Sequence, residues 1–241
     1  LMLKIHRVHA FDDNYIWVVA DDENAWVVDP GDAAPVIAFL ESHALTLEGI
    51  LLTHWHGDHQ GGVLDLCSRF AGVEVIGSHQ PLKGPSKPVS EGDIIRVLGA
   101  NFEVIEVPGH TLDHVAYTSV SDQFQQPVAF TGDTLFAAGC GRLFEGSAEN
   151  MFSSLHKINQ LPANTEIYCA HEYTLANLNF AVIAEPDNQE THKRQQQVSE
   201  MRAQGAATVP TTLELERLTN PFLRATTVAQ LAERRLQKDQ F

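Results

Sequence analysis

The sequence predicts an α/β fold with a helical region after it, and three observations carry that reading. Short apolar segments of strand character alternate with helical ones over the first 172 residues. Histidines and aspartates recur directly after those strands, and the pattern turns helical from residue 173 onward. At 241 residues, 44% of them hydrophobic and 20% charged, the chain is long enough for one packed α/β unit plus an appendage. We therefore expect two domains, 1–172 and 173–241.

Each element follows from its local pattern. Residues 3–10 (LKIHRVHA), 15–20 (YIWVVA) and 25–32 (AWVVDPGD) read as short strands, the last closing in a Pro-Gly turn. Apolar residues at helical spacing mark 34–44, and the buried run GILLT at 49–53 delivers its end to HWHGDH, after which a helix is expected from about 59 to 70. VEVIG, FEVIEV, HVAYTSV and PVAFTGD read as further strands, residues 151–161 as a helix and EIYCA as the last strand. Residues 176–185, 190–204 and 228–237 are the helices expected beyond it.

The net charge of −15 excludes a nucleic-acid partner, because gripping phosphate backbones takes clustered Lys and Arg. The charge is uneven: from Lys193 on, eight basic residues face five acidic ones, a mildly basic tail on an acidic body. No apolar run approaches the ~20 residues a membrane helix needs, so no membrane association is expected. Cys67, Cys140 and Cys169 are widely spaced and suggest free thiols in a reducing, cytoplasmic setting.

The chemistry concentrates in Thr53-His54-Trp55-His56-Gly57-Asp58-His59. Three imidazoles and a carboxylate within six residues are more ligands than one tetrahedral ion needs, so two metals are expected. In an extended run i and i+2 point the same way, so His54 and His56 can chelate one ion while Asp58 and His59 face a second. A His-rich surface loop is the plain alternative, and the strand-ligand-helix context argues against it. His110 in PGHT, Asp133 in FTGD and His171 in CAHEY each follow an expected strand and supply the remaining ligands. The two oxygens of Asp133 suit a bridge between ions. Two such cations bring a bound water down to a pKa of about 7, so hydroxide rather than a Ser or Cys would be the nucleophile, with Asp58 orienting it.

THWHGDH followed by PGHT, GDTLF and AHEYT resembles the metallo-β-lactamase superfamily. GDTLFAAGCGRLFEG, HEYTLANLNFA, NPFLR and the terminal KDQF narrow the resemblance to the glyoxalase II (hydroxyacylglutathione hydrolase) branch. It implies a four-layered αβ/βα sandwich and a helical domain that helps bind glutathione. It also implies His54, His56 and His110 on one metal, Asp58, His59 and His171 on the other, and Asp133 between them. The implied reaction turns S-D-lactoylglutathione and related thioesters into a 2-hydroxy acid, D-lactate, and glutathione, the last step of methylglyoxal detoxification. Zinc is the expected metal, with iron or manganese as alternatives, and a monomer acting on a small molecule the expected form.

By the same resemblance Arg142, Phe144, Tyr173, Arg235 and Lys238 are the substrate-binding candidates. Cationic groups suit the two carboxylates of glutathione. Phe144 stands where some relatives carry Tyr, Trp55 where many carry His, and Asp113 where many carry Gly. Asp29 is a candidate for orienting a ligand imidazole. His114, four residues past His110, fits a place behind a ligand or, preferably, a structural place in the strand; Cys140 fits a tight glycine turn, and His6, His9, His43, His79, His156 and His192 receive no role. A persulfide dioxygenase, a lactamase, a phosphodiesterase or a non-catalytic metal-binding protein are the competing readings. Complete ligands for two ions, the GCGRLF and KDQF segments, the acidic body, and room for water argue against them in turn.

Overall fold

The computed structural model describes residues 1–77 and 87–241; His79 lies outside them. Strands β1 (Lys4–Ala10), β2 (Asn14–Ala20) and β3 (Asn24–Val28) form an antiparallel meander. Helix α1 (Ala33–Ser42) crosses over to β4 (Thr46–Leu51), which lies parallel to β3; its first turn is capped by Asp32, whose carboxylate accepts from Ala34 N. Short helices α2 (Gly57–Gln60) and α3 (Val63–Arg69) then lead to β5 (Glu74–Gly77) and β6 (Lys87–Pro88), which complete a six-stranded sheet in sequential order.

The second sheet begins with β7 (Ile94–Val97), β8 (Ala100–Glu106), β9 (Val115–Ser119) and β10 (Val128–Gly132), all antiparallel. A small hairpin of β11 (Leu135–Phe136) and β12 (Gly139–Cys140) precedes α4 (Ala148–Ile158), which starts on a Ser147–Asn150 capping box. Strand β13 (Glu166–Cys169) returns parallel to β10. Helices α5 (Thr174–Ala184) and α6 (Gln189–Ala203) follow, then a two-residue strand β14 (Thr211–Thr212) on the edge of β13, then α7 (Leu213–Thr219) and α8 (Val228–Gln240).

Strand alternation sorts the core into layers. Along β2, Tyr15, Trp17 and Val19 face the second sheet, where they meet Phe102, Tyr117, Phe130 and Tyr168; Ile16 and Val18 face α1 and α3 through Val36, Leu40 and Leu66. On the far side Ile105, Ala129 and Ile167 pack against Met151 and Leu155 of α4, and Phe180, Leu213 and Leu231 of α5, α7 and α8 join that cluster. The order is helix, sheet, sheet, helix: the four-layered αβ/βα sandwich, with helices beyond it. No helix among the described residues is long and apolar enough to cross a membrane, and all three cysteines are free.

The elements differ from the sequence reading at several places. The helix expected from 59 to 70 starts at Gly57 and breaks at Gly61–Gly62. That break lets the turn after β3 press in: a Cβ on Gly62 would stand 2.6 Å from Ala33 N and 2.7 Å from Pro30 O. EIYCA is not the last strand, because β14 pairs with it, so the region after 172 is not wholly helical. Strand β7 and helix α7 carry no counterpart in that reading.

Candidate metal centre

The four ligand-bearing segments leave the ends of β4, β8, β10 and β13, two of them parallel neighbours and all on one rim of the sandwich. There the structure gathers His54, His56 and His110 into one group and Asp58, His59 and His171 into another, each with donor atoms within 4.8 Å of one another. Asp133 stands between them. Its Oδ2 lies 3.9 Å from His54 Nε2, 3.4 Å from His59 Nε2, 3.4 Å from His110 Nε2 and 3.3 Å from His171 Nε2. Asp58 Oδ2 reaches His59 Nε2 at 3.3 Å and His171 Nε2 at 3.5 Å, and is steadied by Asn14 Nδ2 at 3.0 Å.

The surroundings dictate which nitrogen of each ring is bare. Asp29, buried behind the site, accepts from Thr53 N at 2.8 Å and Thr53 Oγ1 at 2.6 Å. Its Oδ2 also accepts from His59 Nδ1 at 3.0 Å, because a carboxylate can only accept. The Thr53 hydroxyl, having given its proton to Asp29, must accept from His54 Nδ1 at 2.9 Å. Likewise His110 Nδ1 donates to Arg142 O at 2.8 Å and His171 Nδ1 to Asp13 at 2.8 Å. Four imidazoles are thereby held with a proton on Nδ1 and with Nε2 turned inward, while His56 brings its Nδ1 to 3.1 Å from His110 Nε2. Asp29 does orient an imidazole, and through Thr53 it orients a second.

Charge within the cluster is balanced by protons. Burial alone would depress His59, but Asp133 and Asp29 outweigh it and raise its pKa well above the usual imidazole value. His171 is raised in the same way by Asp133 and Asp13. Burial drives His54 and His110 down, to the neutral form. Burial would raise Asp133, but His59 and His171 hold it well below the carboxylate range. His54 Nε2, His59 Nε2 and Asp133 Oδ1 are buried without a hydrogen-bond partner, aimed at the space the groups share. A cation bound in that space would satisfy them. The donor set of imidazoles and carboxylates fits a dinuclear site of zinc, iron or manganese.

Asp133 is delivered by a backbone that only glycine allows. Gly132 has φ +52°, and a Cβ there would stand 2.5 Å from Thr53 Oγ1 and 2.7 Å from the His114 ring. His114, stacked on His54 at 4.5 Å, accepts from Asp133 N at 3.1 Å through its Nε2. It therefore fixes the aspartate's backbone. Asp13, Thr53, Asn14 and this use of His114 were not read from the sequence.

The centre opens into a cavity of about 530 Å³, within the usual range for small-molecule sites. All five expected substrate residues line it. Tyr173 stacks on His171 with ring centroids 4.6 Å apart, and Phe144 is 64% exposed with its ring set edge-on to His56 and His110. Arg142 is well exposed, 3.8 Å from Asp239, and Lys238 is half-buried over the Phe241 ring. Arg235 is different: it is buried, gives Nη1 to Cys140 O at 2.6 Å and Nη2 to Asp239 at 2.8 Å, and lies over Phe222. Trp55 and Asp113 are outside both ligand groups. The histidines without an assigned role, among the described residues, lie elsewhere; His6 and His43, for example, pack on Phe39.

Comparison with known proteins agrees in two parts. Residues 10–171 match the metallo-beta-lactamase superfamily, and residues 172–241 match the hydroxyacylglutathione hydrolase C-terminus. The chain is 50% identical over 225 residues to the hydroxyacylglutathione hydrolase of Photobacterium profundum, covering 92% of this chain and 87% of that one. It is 47% identical over 242 aligned positions to that of Aliivibrio salmonicida, covering 99% and 94%. Among solved structures, ETHE1 from Myxococcus xanthus superposes with a TM-score of 0.73 at 23% identity, covering 98% of this chain and 90% of that one. The BLEG-1 B3 metallo-beta-lactamase superposes with 0.69 at 23%, covering 92% and 100%. These two likenesses bear on the fold alone.

Proposed function

The chain belongs to the hydroxyacylglutathione hydrolase family of the metallo-β-lactamase superfamily, and on that premise we propose that it hydrolyses S-D-lactoylglutathione and related glutathione thioesters to a 2-hydroxy acid and glutathione. The observation that carries the reading is the set of four imidazoles whose Nδ1 atoms are all committed outward, leaving Nε2 as the atom each ring turns toward Asp133. Such outward bonds are what metal-ligating histidines require.

His54, His56 and His110 would hold one cation, Asp58, His59 and His171 the other, and Asp133 both. When bound, the ions polarise a thioester carbonyl and bring water within reach of ionisation at neutral pH. The chain's own groups do the rest. Asp58, with 42% of its side chain exposed to the cavity side, orients the attacking water and takes its proton. Arg142 and Lys238 meet the carboxylates of the glutathione moiety, Tyr173 and Phe144 flank its acyl end, and Arg235 braces the wall that carries Cys140. The departing thiolate needs no strong acid, since an ordinary thiol has a pKa of about 8.5.

Zinc is the metal we assign to both positions, with iron and manganese as alternatives for elemental analysis. The region from 173 onward serves as the glutathione-binding domain. Free Cys67, Cys140 and Cys169 support action in the reducing cytoplasm, and we take the enzyme to act as a monomer. The test is hydrolysis of S-D-lactoylglutathione by protein of known metal content. Turnover that disappears on chelation and returns with two equivalents of metal is the expected result; fully loaded protein without thioesterase activity would overturn the proposal.

A further inference from the structure

Trp55 sits between two inward-facing candidate ligands, His54 and His56, and alternation turns its side chain away from the ions. Its indole Nε1 donates to Glu145 Oε1 at 2.8 Å, and the other oxygen of the same carboxylate accepts from Leu112 N at 2.8 Å. One exposed carboxylate thus ties three loops: the ligand turn 53–59, the loop 109–113 that carries His110, and the loop 141–146 that carries Arg142 and Phe144. The last two are also joined by Gly146 N to Gly109 O at 3.0 Å and by His110 Nδ1 to Arg142 O at 2.8 Å. The Trp55–Glu145 bond attaches that pair to the ligand turn.

From this juxtaposition we infer that Glu145 is a positioning residue: with Trp55 it clamps the rim loop over the centre and sets the placement of Arg142 and Phe144 toward the substrate. Phe144 meets the His56 and His110 rings at centroid distances of 5.8 and 5.2 Å, so the clamp acts on a ring at the reacting end of the cavity. Released from Trp55, the rim loop would still be tied to the 109–113 loop but free to swing away from the ligand turn. Binding would weaken while the ligands kept their places. This deepens the thioester-hydrolase reading and rests on it for its kinetic arm.

Trp55→Phe keeps a ring and removes the donor, Glu145→Ala removes both acceptors, and Glu145→Gln keeps one acceptor oxygen. With two ions bound in each, Trp55→Phe and Glu145→Ala should each raise KM for S-D-lactoylglutathione about fivefold with kcat within about twofold, the net size of one ordinary hydrogen bond. The double variant should be no worse than the worse single one, because both break the same bond, and Glu145→Gln should fall between wild type and Glu145→Ala. Effects that multiply in the double variant, or KM unchanged in both singles, would overturn the clamp.

A second measurement stands apart from activity. Trp17 and Trp26 are buried, so acrylamide quenching of the three tryptophans reports mainly on Trp55. Quenching should rise in Glu145→Ala, and an unchanged value rejects the clamp. Wild-type protein that fails on every glutathione thioester rejects the functional reading instead.

Discussion

Asp29→Asn is the most informative single substitution, because one atom exchange should disturb both ion positions without touching either. The backbone is not the obstacle: Asp29 has φ +52°, a conformation asparagine accepts readily. The aspartate accepts three hydrogen bonds, from Thr53 N, Thr53 Oγ1 and His59 Nδ1. An amide keeps one oxygen, best spent on Thr53 N, and presents N–H groups to the other two. His59 Nδ1 must then surrender its proton, and the neutral ring carries it on Nε2, the nitrogen aimed at the ions. Thr53 Oγ1, now accepting from the amide, turns its own proton toward His54 Nδ1, which forces His54 into the same tautomer. Loss of such an orienting partner lowers metal affinity about 10- to 100-fold, roughly 1.4–2.7 kcal/mol per ion. If the amide turned the other way, Thr53 N would be orphaned in the core at a cost of about 1–3 kcal/mol. The assay is competition of metal-free protein against a chromophoric chelator, with nitrogen NMR of the imidazoles to read the tautomers. Two ions bound at wild-type affinity with Nδ1–H retained would refute the reasoning.

Three further substitutions test the walls of the site. Gly31→Ala would place a Cβ 1.8 Å from Asp58 O and 2.4 Å from Asp58 C, both backbone, so the ligand turn must shift; we expect about 1–3 kcal/mol of lost stability in a denaturant titration and weaker binding of the ion held by Asp58. Arg235→Ala should lower the melting temperature as well as affinity, since it leaves the buried Cys140 O without its partner, at about 1–3 kcal/mol. Lys238→Ala, half-buried at the cavity edge, should raise KM with the melting temperature held, and equal melting shifts in the two variants would contradict this division. Burial first, then Arg235 and Arg142, lower the Lys238 pKa, so its ammonium and any substrate carboxylate it holds are present at neutral pH and lost as pH rises, sooner than for an ordinary lysine. The alkaline fall in kcat/KM should therefore lose one component in Lys238→Met; an unchanged profile would reject that contact.

Much of the centre was legible because the seven expected ligand residues fall in four short segments that each come after an apolar strand, and a sheet edge presents such ends together. What was hidden depended on distance along the chain or on brevity. Asp13 and His171 are 158 residues apart, and no local pattern announces their bond. Thr53 reads as the last residue of a buried strand, and only the geometry reveals it as a relay from Asp29 to His54. The two residues of β14 are too few to show any period. Strand β7 did carry a signal, alternating apolar residues in IIRV ahead of the Leu98–Gly99 turn, and could have been found. Arg235 was expected to face substrate from the resemblance and its charge; that its guanidinium is also spent on Cys140 O and Asp239 appears only once α8 is in place.

Each ligand group draws on both halves of the sandwich: His54 and His56 come from the first sheet and His110 from the second, just as Asp58 and His59 meet His171. A cation at either position is consequently a rivet through the seam between two slabs, added to the side-chain packing and to hydrogen bonds such as Val115 N to Thr53 O and Tyr15 N to Ala170 O that already join them. Free metal at a thousand times its Kd would add about 4 kcal/mol per ion to the folding equilibrium. Starvation for metal would then do more than silence the enzyme: it would unpin the slabs, and the idle copies would be the first to yield to proteases.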